Sequence, residues 1–359
     1  MRTLSLLGLL GLTSLLALTV SACSSDGGST TITTGCTGLA PATNTEFCEA
    51  QRATPDCSRV TGIYKAEVCG VPLRQPPGEL ARSANVEEYA GDGPPNLSCF
   101  DAATYPPKPG PSSPVKIKGI AKIFSNGCES RDVKIEVYTV KRTGGADDAD
   151  LDQSVGTAFT TASDCMTAGV ASDDPEGCGT RYECTYEIDD VPSETELVIR
   201  TSGSQWAPLY EYNIYIRNDE VEAGAWDHDV RALAQDDYTV IPQAALGSTI
   251  TQGHGVIAGE VHDCDNVRLS NATVDVDQQK VITTYFTSNE EHPLPDLSAK
   301  ATSVLGLYAS MDIAPGPVTV AAAGIVGGEL TTVGFFRARV FPDAVTSVTF
   351  RGLEPFQVP

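Results

Sequence analysis

The most chemical-looking cluster in the sequence is Trp226-Asp227-His228-Asp229. A histidine beside two carboxylates can act as a general base or a metal ligand. Neighbours on an extended chain point to opposite faces, so these groups need partners from elsewhere, and an exposed insertion loop is the simpler expectation. His254 and His262 flank the run around Gly259; a continuous strand between them spans about 26 Å, too far for a shared metal. Asp263-Cys264-Asp265-Asn266 reads as a turn, because Asp and Asn bond their own backbone. Gly253-His254-Gly255-Val256-Ile257-Ala258 fits a loose dinucleotide pattern, but that motif must open a helix, and here the following residues alternate as a strand. Asp148, Asp150 and Asp152 start like a calcium loop, yet Gln153 stands where Gly is needed and Phe159 where a bidentate Glu is needed. That excludes an EF-hand. An irregular calcium site from these acids, or from Asp173, Asp174 and Glu176, stands against a solvated acidic loop. No catalytic residue, no metal site and no cofactor beyond that calcium alternative is assigned, so the chain reads as a non-enzyme.

The elements that carry these residues begin with an export segment. Arg2 precedes an apolar run from Leu4 to Val20, followed by the small residues Ser21 and Ala22, the pattern of a cleaved signal peptide. Val20-Ser21-Ala22-Cys23 resembles the lipobox of bacterial lipoproteins, which implies a signal peptide over 1–22 and lipidation of Cys23. Ser24 follows instead of the Asp associated with inner-membrane retention, which implies transfer to the outer membrane, on its periplasmic or its outer face. Ser24 to Gly35 is rich in Ser, Thr and Gly, so residues 23–35 read as a flexible tether of roughly 20 Å. The chain has 359 residues, 24 Lys+Arg against 47 Asp+Glu and a net charge of -23. Such a surface repels phosphate, which argues against nucleic-acid partners.

Of 11 cysteines, Cys23 is the lipidation candidate and ten remain, an even number that favours disulfides in an exported chain. Cys36, Cys48, Cys57, Cys69 and Cys99 are N-terminal, Cys128, Cys165, Cys178 and Cys184 central, and Cys264 stands alone near the C-terminus. If all pair, at least one bridge leaves the N-terminal group and one leaves the C-terminal part. Cys99–Cys264 is the simplest solution, against one or two free thiols. No C-x2-C pair occurs, so zinc spacing is absent.

Residues 36–113 read as a Cys-rich cap with a Pro-rich linker. From Val115 the period becomes two: Val115, Ile117, Gly119, Ala121 and Ile123 alternate, as do Val133, Ile135 and Val137, and Tyr212-Asn213-Ile214 and Thr239-Val240-Ile241 read as further strands. No useful helical periodicity competes. A second block repeats the first. Ile257-Ala258-Gly259 matches Ile117-Lys118-Gly119, Leu307-Tyr308 matches Tyr186, and Asp312-Ile313 matches Asp190-Val191. The boundaries fall at 114–245 and 251–359.

Each block resembles the carboxypeptidase-regulatory-like, or transthyretin-like, β-sandwich family. The second carries the pattern in Gly259, Val261, Ala272, Val274, Val276, Gly306, Tyr308, Pro315, Gly316, Val318 and Val320; the first lacks a Gly before Tyr186 and has Ser193-Glu194 in place of Pro-Gly. The resemblance implies a mainly β fold of two tandem Greek-key sandwiches after a small disulfide-rich region. It implies structure, not a reaction. The expected function is a non-catalytic, lipid-anchored cell-envelope protein that meets the membrane through its anchor and offers its sandwiches to a protein or polysaccharide. The alternatives are a calcium- or glycan-binding adhesion module, resting on the acidic loops and on Trp206, Trp226, Tyr210, Tyr212 and Tyr215, and a hydrolase with an unrecognised site.

Overall fold

The computed structural model describes residues 40–41, 66–68, 71–100, 109–124, 128–142, 149–169, 180–290 and 292–357. Cys23, Cys36, Cys48, Cys57, Cys69 and Cys178 lie outside them. The described fold is mainly β. Ahead of the repeats come β1 (Ala40–Pro41), β2 (Ala66–Val68), β3 (Val71–Leu73) and β4 (Ala81–Arg82). The first block holds β5 (Pro114–Ile123), β6 (Lys134–Lys141), β7 (Asp150–Phe159), β8 (Cys165–Gly169), β9 (Arg181–Pro192), β10 (Glu196–Ser202), β11 (Trp206–Ala207), β12 (Leu209–Tyr215), β13 (Ala225–Asp227) and β14 (Val230–Ala234). After helix α1 (Gln235–Leu246) come β15 (Gly255–Glu260), β16 (Leu269–Ser270), β17 (Thr273–Val276), β18 (Ile282–Phe286), β19 (Pro295–Asp296), β20 (Leu307–Ile313), β21 (Gly316–Val326), β22 (Glu329–Val340) and β23 (Val345–Val348).

Alternation makes each block a two-layer sandwich. In the first, Ile117, Ala121, Ile188 and Val230 of one sheet face Ile135, Val137, Leu197 and Ile199 of the other in one buried cluster. In the second, β17, β21 and β22 form a separate sheet whose Val274, Val320 and Phe336 share a core with Ile257, Tyr308 and Val348. Each such aliphatic side chain, fully buried, contributes about 1.5–3 kcal/mol.

The internal repeat is legible atom by atom. Gly119 pairs with Tyr186 across β5 and β9, and Gly259 with Tyr308 across β15 and β20. Tyr186 Oη donates to the His228 carbonyl oxygen at 2.7 Å, and Tyr308 Oη to that of Val348 at 2.6 Å. In each block that carbonyl sits where a glycine Cβ would be: 1.9 Å from one built on Gly119 and 2.0 Å from one on Gly259. The strand pairs share a bulge near the start of β5 and β15, and Asp190 and Asp312 take left-handed φ of 60° and 64° at matching turns. Thr160 and Thr302 repeat one turn lock. Each Oγ1 accepts from the N–H of the residue just before a strand, Val133 or Ala272, and donates to a carbonyl, that of Ser130 or Leu269.

The two blocks are not beads on a string. β23 pairs parallel with β15 of its own block and, on its other edge, parallel with β12 of the first. The result is one nine-stranded sheet, β19-β18-β20-β15-β23-β12-β10-β6-β7. Residues 71–100 pack on the second block: Leu80 fills the space over Gly324, Phe100 lies against Gly334, and β4 pairs with β16. Cys99 and Cys264 are disulfide-bonded across 165 residues, and Cys165 is bonded to Cys184. Cys128 is also disulfide-bonded.

Helix α1 corrects the expectation of a strand at Thr239-Val240-Ile241. Its β-branched run and Pro242 carry little helical signal. Asp236 and Asp237 in the first turn complement the helix dipole, and Gly247 closes the end at φ 73°, its N–H bonding the Gln243 carbonyl. Burial of the helix's own Pro242 and Ala245 supplies what propensity does not.

Two outcomes are expected in urea unfolding. Replacing both Cys99 and Cys264 by Ser lowers stability by about 2–5 kcal/mol, because a long covalent loop is opened. Gly259→Ala costs about 3 kcal/mol or more through the carbonyl clash, whereas Gly253→Ala, at φ 81° in open space, costs about 1 kcal/mol.

Candidate functional site

The parallel seam between β12 and β23 builds the floor of a cavity of about 350 Å³. Register sets that floor in cross-strand rows. Leu209, Val345, Val256 and Met311 align across β12, β23, β15 and β20; one pleat further on, Glu211, Ser347, Ala258 and Ala309 align. The first row is wholly apolar and the second turns polar toward β12. Small side chains at 258, 309 and 347 leave the space open. Tyr238, Ile241 and Pro242 of α1 roof the apolar end, while Trp226, His228, Arg231, Tyr89 and His262 surround the polar end.

His228 is here a buried residue, 8% exposed, not part of an exposed insertion loop. The reason is pairing: β13 and β14 both run parallel to β5, so the segment Trp226–Asp229 is held inside the sheet system. Residues two apart share a face, and the Trp226 and His228 rings stack at 4.8 Å. The partner His228 needed comes from β12: its Nε2 lies 3.2 Å from Glu211 Oε2. Arg351 Nη2 donates to Glu211 Oε1 at 3.3 Å. Burial pushes the Glu211 carboxyl up, but His228 and Arg351 outweigh it and hold it below the usual carboxylate range.

A second histidine–carboxylate pair sits across the seam. His262 Nε2 is 2.7 Å from Glu260 Oε2, and Nδ1 is 2.8 Å from Asn266 Oδ1, so both ring nitrogens are occupied. Arg268 Nε donates to the same Glu260 oxygen at 3.0 Å. Burial opposes ionisation of Glu260, yet His262, Arg268 and Arg231 drive its carboxyl far below the ordinary value. The residues between, Asp263 to Asn266, form a turn. Asp263, 0% exposed, accepts the Asp265, Val267 and Asn96 backbone N–H groups and the Arg82 side chain.

Glu88 ties this end to the first block. It accepts from Lys122 Nζ and Arg231 Nη2, each at 2.6 Å. Its burial works against ionisation, but Arg231 and Lys122 lower its carboxyl to about 2.

The structure does not bring His254 and His262 together: His254 lies 3.3 Å from Asp312, at the other end of β15. The residues after Gly253 form strand β15, not a helix. Asp150 and Asp152 belong to strand β7, while Asp148, Asp173, Asp174 and Glu176 lie outside the described residues. Trp206, Tyr212 and Tyr215 are buried, and Tyr210 stacks on Phe341 at 3.9 Å. The one cluster of metal-ligand type among the described residues, Glu129 with Cys165 and Cys184, holds a disulfide instead of thiolates. Sequence reasoning missed Glu211, Glu260 and Arg351. A signal existed for the first two: each is a carboxylate in step with apolar residues of one strand face, after Leu209 and after Val256 and Ala258.

No family model and no curated protein matches the chain. Among solved structures, the major pilin subunit of Bacillus cereus aligns with 67% of this chain and 71% of its own, at 10% identity and a TM-score of 0.18.

Because the Glu88 and Glu260 carboxyls titrate lower in the folded than in the unfolded chain, their contribution is full above the unfolded value and fades as pH falls. For Glu88 the window runs from about pH 5 down to about pH 2. Glu88→Gln should lower stability at pH 7 by about 1–2 kcal/mol, discounted for its partial exposure. It should also flatten the loss of stability between pH 5 and 3 in a pH series of urea titrations.

Proposed function

We propose that the chain is a non-catalytic, lipid-anchored protein of the cell envelope, with the signal peptide removed after Ala22, Cys23 acylated, and the folded part held off the outer membrane by a short tether. Multiple acyl chains give the stable anchoring that a single chain does not. In this reading each repeat is a carboxypeptidase-regulatory-like sandwich and its partner is a protein or a polysaccharide. The observation that supports a structural or binding role is the nine-stranded sheet through both repeats. Such a sheet makes the two repeats one stiff body, suited to holding a binding surface at a fixed distance and orientation from the bilayer.

The test is fractionation with mass analysis of the mature N-terminus. Wild-type protein is expected in the outer-membrane fraction with an acylated Cys23, and Cys23→Ala in the soluble fraction. An unmodified Cys23, or a Cys23→Ala protein that stays in the membrane, overturns the reading. Protease shaving of intact cells then assigns the face: fragments released from intact cells mean surface display, and cleavage only after lysis means the periplasm.

A further inference from the structure

We propose that the cavity at the seam of the repeats binds a small amphipathic molecule with an apolar body and an anionic head, a carboxylate-bearing ligand. The claim rests on the cavity alone and is independent of how the chain is anchored.

The volume, about 350 Å³, falls in the range of small-molecule pockets, and the lining mixes apolar side chains with charged ones, Asp237 of α1 among them. The gradient of the floor fixes how a ligand lies. Val256, Val345 and Met311 with Tyr238 and Ile241 enclose the apolar end, and a charged atom there would lose its hydration without a partner. The head must therefore lie toward Glu211 and the segment from Trp226 to Arg231.

Its sign follows from which hydrogen-bonding groups remain free at that end. The acceptors are spent. Glu211 is engaged by His228 and Arg351, and Glu260 by His262 and Arg268, so each carboxylate already has an arginine and a histidine against it. Asp229 is held by the Ile120 N–H and by Lys122. The donors are not spent. Among the described residues Arg351 makes one side-chain hydrogen bond, to Glu211, and its Nε is buried with no partner. Among the described residues Arg231 makes one side-chain hydrogen bond, to Glu88. A guanidinium offers five N–H donors in a fixed fork that matches a carboxylate. A buried donor without a partner is costly, and an anionic acceptor removes that cost. An ammonium head would instead lie beside the Arg231 and Arg351 guanidinium groups and meet Glu211, Glu260 and Asp229, which already hold donors. The net charge of -23 acts over the whole surface and is screened beyond about 8 Å at physiological salt, so the local guanidinium groups decide the sign inside the cavity.

The experiment uses the full chain in phosphatidylcholine nanodiscs and three probes with the same tail: octanoate, octylammonium and 1-octanol. The readout is the emission of Trp226, which lines the cavity, with Trp226→Phe as the assignment control against buried Trp206. Octanoate is expected to give a saturable change and to bind about tenfold or more tightly than octylammonium. Arg351→Gln should weaken octanoate by about ten- to hundredfold, as for a lost charge-assisted hydrogen bond, and leave 1-octanol unchanged. Ala258→Leu, which fills the floor, should abolish binding of all three. Arg231→Gln, on a different strand, repeats the charge test should Arg351→Gln fail to fold. Octylammonium binding as tightly as octanoate, octanoate binding unchanged in both arginine variants, binding that survives Ala258→Leu, or no saturable signal with any probe each overturns the proposal.

Discussion

The parallel pairing of β12 with β23 is the constraint on which the rest of the molecule depends. One short strand, Val345–Val348, spends one edge on its own repeat and the other on the first repeat. Two backbone edges that would otherwise be exposed satisfy each other. Register along a strand has a period of two, so a slip by one residue would turn Leu209 and Glu211 away from the cavity and break the rows they share with Val345 and Ser347. The seam fixes both the spacing of the sandwiches and the composition of the surface between them.

Around that seam the carboxylates Glu88, Glu211, Glu260 and Asp263 each hold more than one partner. Glu88, from the segment ahead of the repeats, reaches Lys122 and Arg231 of the first repeat and lies 4.0 Å from Arg268 of the second. Arg82 of the same segment bonds Asp263 and pairs with Asp265. Burying such charges costs desolvation that a lone pair rarely returns. Their gain is in position: they hold residues 82–88 against both repeats, and the cavity's polar end is framed as a consequence. Removing one member would strand its partner in a low-dielectric site, so the network acts as a unit.

The glycine–tyrosine pairs explain why two divergent repeats keep one shape. A carbonyl presses against the backbone at Gly119 or Gly259, and a tyrosine reaches across to bond it. Any side chain at the glycine would force the third strand away. In the first repeat the bonded carbonyl belongs to His228, so the lock that shapes the sandwich also presents this histidine to the cavity.

Local alternation at Val115–Ile123 and Val133–Val137 was enough to determine strands with one buried face. The paired motifs around Gly119 and Gly259 determined a repeat, because these are short-range patterns that each strand must satisfy on its own. Helix α1 was not legible: Thr239, Val240, Ile241 and Pro242 argue against a helix, and its stability comes from packing over the sheet. Nor was the burial of His228, since Glu211 stands 17 residues away and meets it only once β12 and β13–β14 are folded. The joining of the repeats lay further out of reach. β12 and β23 are separated by more than a hundred residues, and nothing in either strand's own alternation names its neighbour. Local pattern therefore specified the elements and their inward faces. Which edges meet, and with them the cavity, was left to the folded whole, because backbone pairing between distant strands is set by global packing and not by any local pattern.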